Sequence, residues 1–508
     1  MQQQHTYKQK KWIGAHLLSL MCLLALLFAA CSSLTTTTSP TVTPTRVAST
    51  QTVSISTGVV PVPIKGVSTA IMPGDWPGYL LDNEHTGFNK AETVINAATA
   101  SRLNLHWTYH ASAAISTQPV EAYGMVYWGS WDGLEHATDL NGHEVWSVNL
   151  GTTQYKQCNP TVGVASTASV APVTIGGITS QVVFVGGGDA HFYALNASNG
   201  QVLWKTALGS SPSHFIWSSS VVYNGSVYVG MASYGDCPLV QGQLFQMDTV
   251  TGAIQHRFDV VPNGCVGGTV WSTPTIDAGS GNLYLVTGSS APSTCPRVEI
   301  YSYAVIELHA SDLAVVGYWR VPLSKWLADG DFGATPTLFT ARIQGALVGL
   351  VGVAHKNGIY YALVRGAISK GAVWTFKVAR RGSDPENGEG SISPSAWDGT
   401  AVYVAGGNTR IKGIKCQGSL RALNPATGLS LWEDCLPDGP VLAPVTGVPG
   451  LVVVEEGPTF AVINAETGKV LFSYKDPKAG SLFYGAASIA HGMLYIGSTN
   501  GNLYAFGL

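Results

Sequence analysis

Cysteine is the residue type whose chemistry is easiest to read in this chain of 508 residues, which holds eight of them. Cys31 follows an apolar run from Leu17 to Ala30 that ends in the small pair Ala29-Ala30, behind a positive stretch containing Lys8, Lys10 and Lys11. This is the pattern of a lipobox, in which the cysteine is acylated and becomes the new N-terminus; Phe28 stands where leucine is commoner. The run is short for a membrane span, and an acyl-modified cysteine carrying several chains anchors a protein firmly. The sequence therefore predicts a lipidated Cys31, a membrane partner through that anchor, and an extracytoplasmic location. Cys22 falls within the leader, leaving Cys158, Cys237, Cys265, Cys295, Cys416 and Cys435. An even number in an exported chain points to disulfides, although six cysteines allow many pairings. The expected set is Cys265–Cys295 and Cys416–Cys435 as local bridges, with Cys158–Cys237 as the remainder. No CxxCH occurs, so no built-in c-type haem is expected.

Other chemistry-bearing patterns are missing from the sequence: it contains no GxSxG, Walker loop, HExxH or paired CxxC. His136, His191, His214 and His256 fall at dissimilar places, and their spacing suggests no shared metal. The net charge of −3, with no basic field, makes nucleic acid an unexpected partner.

The elements that must position any site come from a repeat. "VFVGGGDAHFYALNASNGQVLW" ends at Trp204, "VYWGSWDGLEHATDLNGHEVW" at Trp146, "SLRALNPATGLSLW" at Trp432 and "TFAVINAETGKVLF" at Phe472. In each, a turn glycine precedes the terminal aromatic by four: Gly200, Gly142, Gly428 and Gly468. Gly252 precedes His256 by the same step, and weaker copies end at Trp319 and Trp374. The "VYVG" and "LYAL" segments read as buried strands, and "NASNG", "NPATG" and "NAETG" as tight turns needing positive φ. Four strands per repeat make one propeller blade; a β-sandwich with many hairpins would not keep such regular spacing over this length. Seven copies are complete. The last, "GMLYIGSTNGNLYAFGL", lacks a closing strand, which "LNLHWTYH" around Trp107 supplies from the other end, so that no edge is left open. The fold class is thus all-β, an eight-bladed β-propeller whose ring closes by pairing N-terminal and C-terminal strands. Each flat terminal indole is expected to pack between blades, with its N–H on a neighbour's carbonyl. The expected domains are residues 1–31 as a lipoprotein signal segment, 32–74 as a disordered Ser/Thr/Pro-rich tether and 75–508 as the propeller. The tether reading rests on "TTTTSPTVTPT" and on the lack of any Asp or Glu before Asp75.

A repeat ending "ALxxxTGxxLW" resembles the pyrroloquinoline quinone (PQQ) propeller repeat, and "DWPGYLLDNEHTGFN" (Asp75–Asn89) looks like the lead-in of that group. "GGTVWSTPTIDAGSGNLYLVTGS" (Gly267–Ser289), "DGDFGATPTLF" (Asp329–Phe339) and "AHKNGIYYAL" (Ala354–Leu363) are similar to stretches of polyvinyl-alcohol and methanol dehydrogenases. The resemblance implies PQQ over a tryptophan in the central funnel, beside a Ca²⁺ that polarises its C5 carbonyl, with an Asp as base toward an alcohol. Trp271 matches the stacking tryptophan, its other role being an ordinary core indole. Lys356 matches the basic residue that reaches the quinone oxygens; beside Asn357-Gly358 it also reads as a solvated hairpin lysine. Departures are plain. Ser289 replaces an expected Asn ligand, so no metal ligand is assigned with security. Ser324-Lys325-Trp326 stands where the base element "DxW" belongs, and serine cannot take up a proton near neutral pH. Asp331 and Asp329 are the substitutes nearby, though loop acids commonly cap turns. An adjacent-cysteine element is missing, Gln241 replaces a basic residue, and Asp236 is the nearest acid where a Glu ligand is expected; a calcium site short of ligands is weakened.

Two functional readings follow. One is a PQQ-dependent alcohol dehydrogenase-type oxidoreductase acting on a small-molecule alcohol and passing electrons to an external acceptor. The other is a non-catalytic envelope-anchored propeller that serves as a binding or assembly module for a protein partner, since non-enzymatic propellers use the same repeat.

Overall fold

The structure, a computed structural model, describes residues 71–155, 160–236, 238–291, 294–295 and 299–508. Cys31, the leader and most of the tether lie outside the described residues, as does the expected Cys158–Cys237 pair. No helix among the described residues is long and apolar enough to cross a membrane.

Short apolar segments separated by glycine-containing turns pair antiparallel with their sequence neighbours and build eight blades. Blade 1 comprises Val120–Ala122, Met125–Gly129, Leu134–Asp139 and Glu144–Asn149, from the channel outward. Blades 2 to 7 repeat this order, with innermost strands beginning at Ser169, Val221, Thr275, Thr337, Ala396 and Thr446. Blade 8 takes Ser488–Ala490, Met493–Gly497 and Asn502–Gly507 from the C-terminal stretch, and its outer strand is Asn104–His110. Trp107 lies opposite Ala505 there, so the ring closes as the repeat count requires.

The blade-terminal aromatics do inter-blade work. Pairing of the two outer strands slips by one residue directly before each: the extra residue is Val145 before Trp146, Leu203 before Trp204, Val373 before Trp374, and Leu431 before Trp432. Such a bulge re-aims the next side chain. Each indole N–H then donates to a carbonyl of the following blade: Trp107 to Leu140 at 3.0 Å, Trp146 to Ala197 at 2.9 Å, Trp204 to Thr249 at 3.1 Å, Trp374 to Pro425 at 2.9 Å and Trp432 to Ala465 at 2.9 Å. The turn glycine of that blade covers the ring: a Cβ on Gly200 (φ +71) would stand 2.8 Å from the Trp146 ring. Trp319 departs from its expected place. The register of blade 4 puts Gly317 at the aromatic position, with Trp319 two residues on. Ile368, buried in the short helical turn Ile368–Lys370 of blade 5, is the nearest side chain to the vacated position.

The lead-in forms a strap across the channel and bonds the inner strands of all eight blades in order. Trp76 N–H donates to Glu121 O, and Pro77 O accepts from Val170 N–H. Asn83 then bonds Val222 and Ile276, Glu84 bonds Leu338, Thr86 bonds Trp397 and Gly87 bonds Gly447. The Asn89 amide finishes the circuit on Ile489 O at 2.9 Å. Trp76, Leu80 and His85 of the strap are buried. Burial holds the His85 imidazole neutral, with its pKa lowered to about 3. The two described disulfides match expectation: Cys265–Cys295, and Cys416–Cys435, which fastens the hairpin strand Ile414–Cys416 to the outer strand of blade 6.

Candidate functional site

At the end where the innermost strands begin, the eight blades surround a cavity of about 660 Å³ floored by Tyr79 of the strap. Its rim is fixed by hydroxyls that link one blade to the next. Gln118 N–H donates to Thr167 Oγ1 (2.9 Å), Thr167 N–H to Ser219 Oγ (3.0 Å), Ser219 N–H to Thr273 Oγ1 (3.1 Å) and Thr273 N–H to Thr335 Oγ1 (3.0 Å). Trp131, Trp217, Trp271 and Tyr484 line the walls above. The Tyr484 hydroxyl, from the start of blade 8, donates to Glu386 Oε1 at 3.1 Å.

A second lobe of about 490 Å³ shares Trp217, Trp271, Asp329, Lys356 and Glu386 with the first and adds Asp236 and Asp331. The sequence candidates meet on this common wall. Trp271 is half-buried, and its ring takes the space a side chain at Gly333 would need: a Cβ there would lie 2.2 Å from Trp271 Cη2. Lys356 is not a solvated hairpin residue. It is 8% exposed, because its stem runs through the wall while its ammonium is held 3.1 Å from both Asp329 oxygens and 3.4 Å from Asp331 Oδ2. The same ammonium stands 5.7 Å from the Trp271 ring centre. Asp331 is buried and accepts the Ser289 N–H at 2.8 Å on its other oxygen. Asp236, the nearest acid to the place where the resemblance expects a Glu, also reaches this wall: it is oriented by Ser233 Oγ at 2.8 Å, and one oxygen each from Asp236, Asp329 and Asp331 lie within 4.8 Å of one another.

The electrostatics follow from crowding. Burial and the Asp331 charge push the Asp329 carboxyl up to about 6, against the pull of Lys356. Burial raises Asp236 as well. Burial would lower the Lys356 ammonium, but Asp331 and Asp329 together more than offset it, and the net shift is upward. Asp236 and Asp329 both sit at positive φ, +58° and +55°, an arrangement that costs free energy and clusters at functional sites. Asp236 and Asp329, both open to the cavity, offer carboxylate oxygens of the hard donor type that Ca²⁺ takes, and a broad indole beside an open cavity suits a planar ring. The donor set therefore fits both groups.

Ser324 and Gln241 are not part of this wall. Ser324 is exposed in the turn Leu323–Lys325, while Gln241 donates to Val261 O at 2.6 Å. Trp326 stacks on Tyr303 at 4.7 Å. His136 stacks on Trp128 at 3.9 Å and pairs with Glu144, and none of the four histidines singled out in the sequence joins a metal-competent group among the described residues. Sequence reasoning missed Trp131, Trp217, Tyr484 and the hydroxyl rim. The recurrent triplets Thr273-Pro274-Thr275, Thr335-Pro336-Thr337 and Ser393-Pro394-Ser395 were a usable signal for the rim.

The fold is that of a quinoprotein-dehydrogenase-like propeller. The family described as "Outer membrane protein assembly factor BamB" matches residues 132–292 and 366–508, more than half of the chain, and the chain belongs to this PQQ-repeat family. It is 25% identical over 338 residues to the quinohemoprotein alcohol dehydrogenase of Comamonas testosteroni, covering 57% of this chain but only 45% of that enzyme. A polyvinylalcohol dehydrogenase of Pseudomonas sp is 23% identical over 490 residues, 84% of this chain and 73% of the relative. Among solved structures, a europium-containing methanol dehydrogenase superposes with a TM-score of 0.69 at 17% identity, covering 86% of this chain and 98% of its own. BamB from Moraxella catarrhalis gives 0.52 at 14% identity, over 80% of this chain and 98% of its own. At these identities the structural likeness establishes the fold.

Proposed function

We propose that this protein is a PQQ-dependent dehydrogenase that oxidises alcohols outside the cytoplasm, anchored through acylated Cys31 and held off the membrane by the tether of residues 32–74. The observation that carries the reading is the convergence of Trp271, Lys356, Asp236, Asp329 and Asp331 on one cavity wall. The alcohol dehydrogenases among the relatives support it, and the disulfides fit an oxidising compartment. Trp271 would hold PQQ, which when bound with Ca²⁺ would supply two-electron acceptor chemistry for the alcohol, with an external acceptor completing the oxidation. In this reading Trp271 supplies the platform and Lys356 favours negative charge at the quinone oxygens. Asp329 and Asp236, both open to the cavity, donate oxygens to the cation. Asp331, fixed by Ser289 and Lys356, takes the hydroxyl proton of the alcohol at its Oδ2.

The test is a titration of the purified protein with PQQ and Ca²⁺, followed by quinone absorbance and by dye reduction on adding alcohols. Saturable binding that Trp271→Ala abolishes, with alcohol-dependent dye reduction, supports the proposal. No binding at high micromolar PQQ would transfer support to the second reading, a non-catalytic binding or assembly module. One observation favours that alternative: the Lys356 ammonium already bridges Asp329 and Asp331, so the wall holds a cation of its own.

A further inference from the structure

The innermost strands run away from the cavity toward their hairpin turns, and a second cluster lies at that end. Asp75 stands at the start of the strap, Glu121 in the innermost strand of blade 1, and His491 in the turn between Ser488–Ala490 and Met493–Gly497 of blade 8. His491 Nε2 is 2.9 Å from Asp75 Oδ1 and 3.8 Å from Glu121 Oε1, and the three donor atoms lie within 4.8 Å of one another. The two carboxylate side chains are 0% and 1% exposed, whereas the imidazole is 36% exposed, which leaves a path from solvent to the donors.

The surroundings ask for a positive charge. Among the described residues, no lysine or arginine pairs with either carboxylate, and His491 is their only basic neighbour in an ion-pair contact. Glu92, the next acid, is occupied by the N–H groups of Val94, Ile95 and Gly492. Asp75 Oδ2 is held by Met72 N–H at 2.9 Å. Glu121 Oε2, by contrast, faces only the fully buried Tyr495 hydroxyl, and neither atom has another partner although Glu121 is almost fully buried. Two buried carboxylates that share one imidazole are costly to keep ionised, and a metal ion offsets that cost. The imidazole nitrogen selects the ion class, because carboxylate oxygens alone suit Ca²⁺ while a mixed nitrogen and oxygen set suits zinc-like transition ions.

We propose that Asp75, Glu121 and His491 form a second metal site, which takes a divalent transition ion of the zinc class with solvent completing its coordination. The ion would clasp the strap to the seam where blades 8 and 1 meet. The site is separate from the cavity wall and does not depend on the dehydrogenase reading.

The experiment uses the full protein, dialysed against chelator and titrated with Zn²⁺ and with Co²⁺ as a visible probe. The expected result is saturable binding of one ion at micromolar concentration and a rise of several degrees in the melting temperature. X-ray absorption of the zinc-loaded protein should show one imidazole nitrogen among oxygens. Glu121→Gln and His491→Asn should each weaken binding at least tenfold; asparagine at 491 tolerates the left-handed backbone (φ +48) found there. Asp329→Asn should leave zinc binding unchanged. Binding abolished by Asp329→Asn but not by Glu121→Gln, a shell without imidazole, or no binding at millimolar zinc each overturns the proposal. The absorption shell decides the matter even if one variant fails to fold.

Discussion

The two ends of the channel carry clusters built from similar side chains, and they differ in what surrounds them. At the cavity end, Asp236 and Asp329 are exposed, Asp331 is buried, and a lysine ammonium lies among them. At the strap end, both carboxylates are buried and the basic side chain beside them is a partly exposed imidazole. The cavity cluster sets one ammonium among three carboxylates and is open, which suits exchange with ligands that come and go. The strap cluster keeps its carboxylates buried behind one imidazole and joins three separate parts of the chain, which suits holding. Residue type alone does not separate the two roles; burial and the identity of the cationic partner do.

Four substitutions would break or sharpen this comparison. The largest effect is expected from Trp76→Ala. This fully buried strap residue should cost about 3–5 kcal/mol in urea unfolding, while PQQ affinity of the folded fraction changes little. If affinity fell in step with stability, the two ends would not be independent. Next, Asp331→Asn should lower alcohol-dependent dye reduction by about 100-fold or more and cost about 1–3 kcal/mol in melts, since asparagine still accepts the Ser289 N–H but takes one of the two carboxylate partners from buried Lys356. Lys356→Met comes third. It leaves Asp329 and Asp331 facing each other without their ammonium, and should cost about 1–3 kcal/mol once solvent screening of half-exposed Asp329 is allowed for. Added Ca²⁺ should restore most of that loss in thermal melts; failure to do so would count against a cation site at the wall.

The smallest effect concerns a buried carboxylate outside both clusters. Glu455 is fully buried, and desolvation pushes its pKa up to about 8, against the Ala487 N–H it accepts. A group whose folded pKa is raised contributes stability fully present below the unfolded value and lost as pH rises toward the folded one. Wild-type stability should therefore fall between about pH 4.5 and 8. Glu455→Gln should stabilise the protein at pH 8 by roughly 1–3 kcal/mol relative to pH 5, read from melts at the two values. An equal effect at both would show that the carboxyl ionises freely in place.

The repeat made the ring legible because glycine and tryptophan four residues apart serve one local purpose, the packing of a turn on the indole of the preceding blade. The same regularity misplaced Trp319, where spacing alone could not reveal that Gly317 holds the register position. Trp271, Lys356, Asp329 and Asp331 were legible only through resemblance, and their contact depends on loops of different blades arriving at one wall. The strap cluster was not legible. Asp75 and His491 are 416 residues apart in sequence, and only ring closure makes them neighbours. Their types were visible, but nothing local to either one marks the meeting.

The strap has one more consequence. It visits the blades in their chain order, bonding an inner strand of each between Trp76 and Asn89. A stretch of backbone has a fixed maximum reach, so its bonding points act as a gauge for the circumference of the channel. Gaining or losing one blade would leave the donors and acceptors of the strap out of step with the inner strands around the rest of the ring. Blade number in this protein is thus measured from within, and a duplicated repeat would have to be matched by a longer strap before it could be kept.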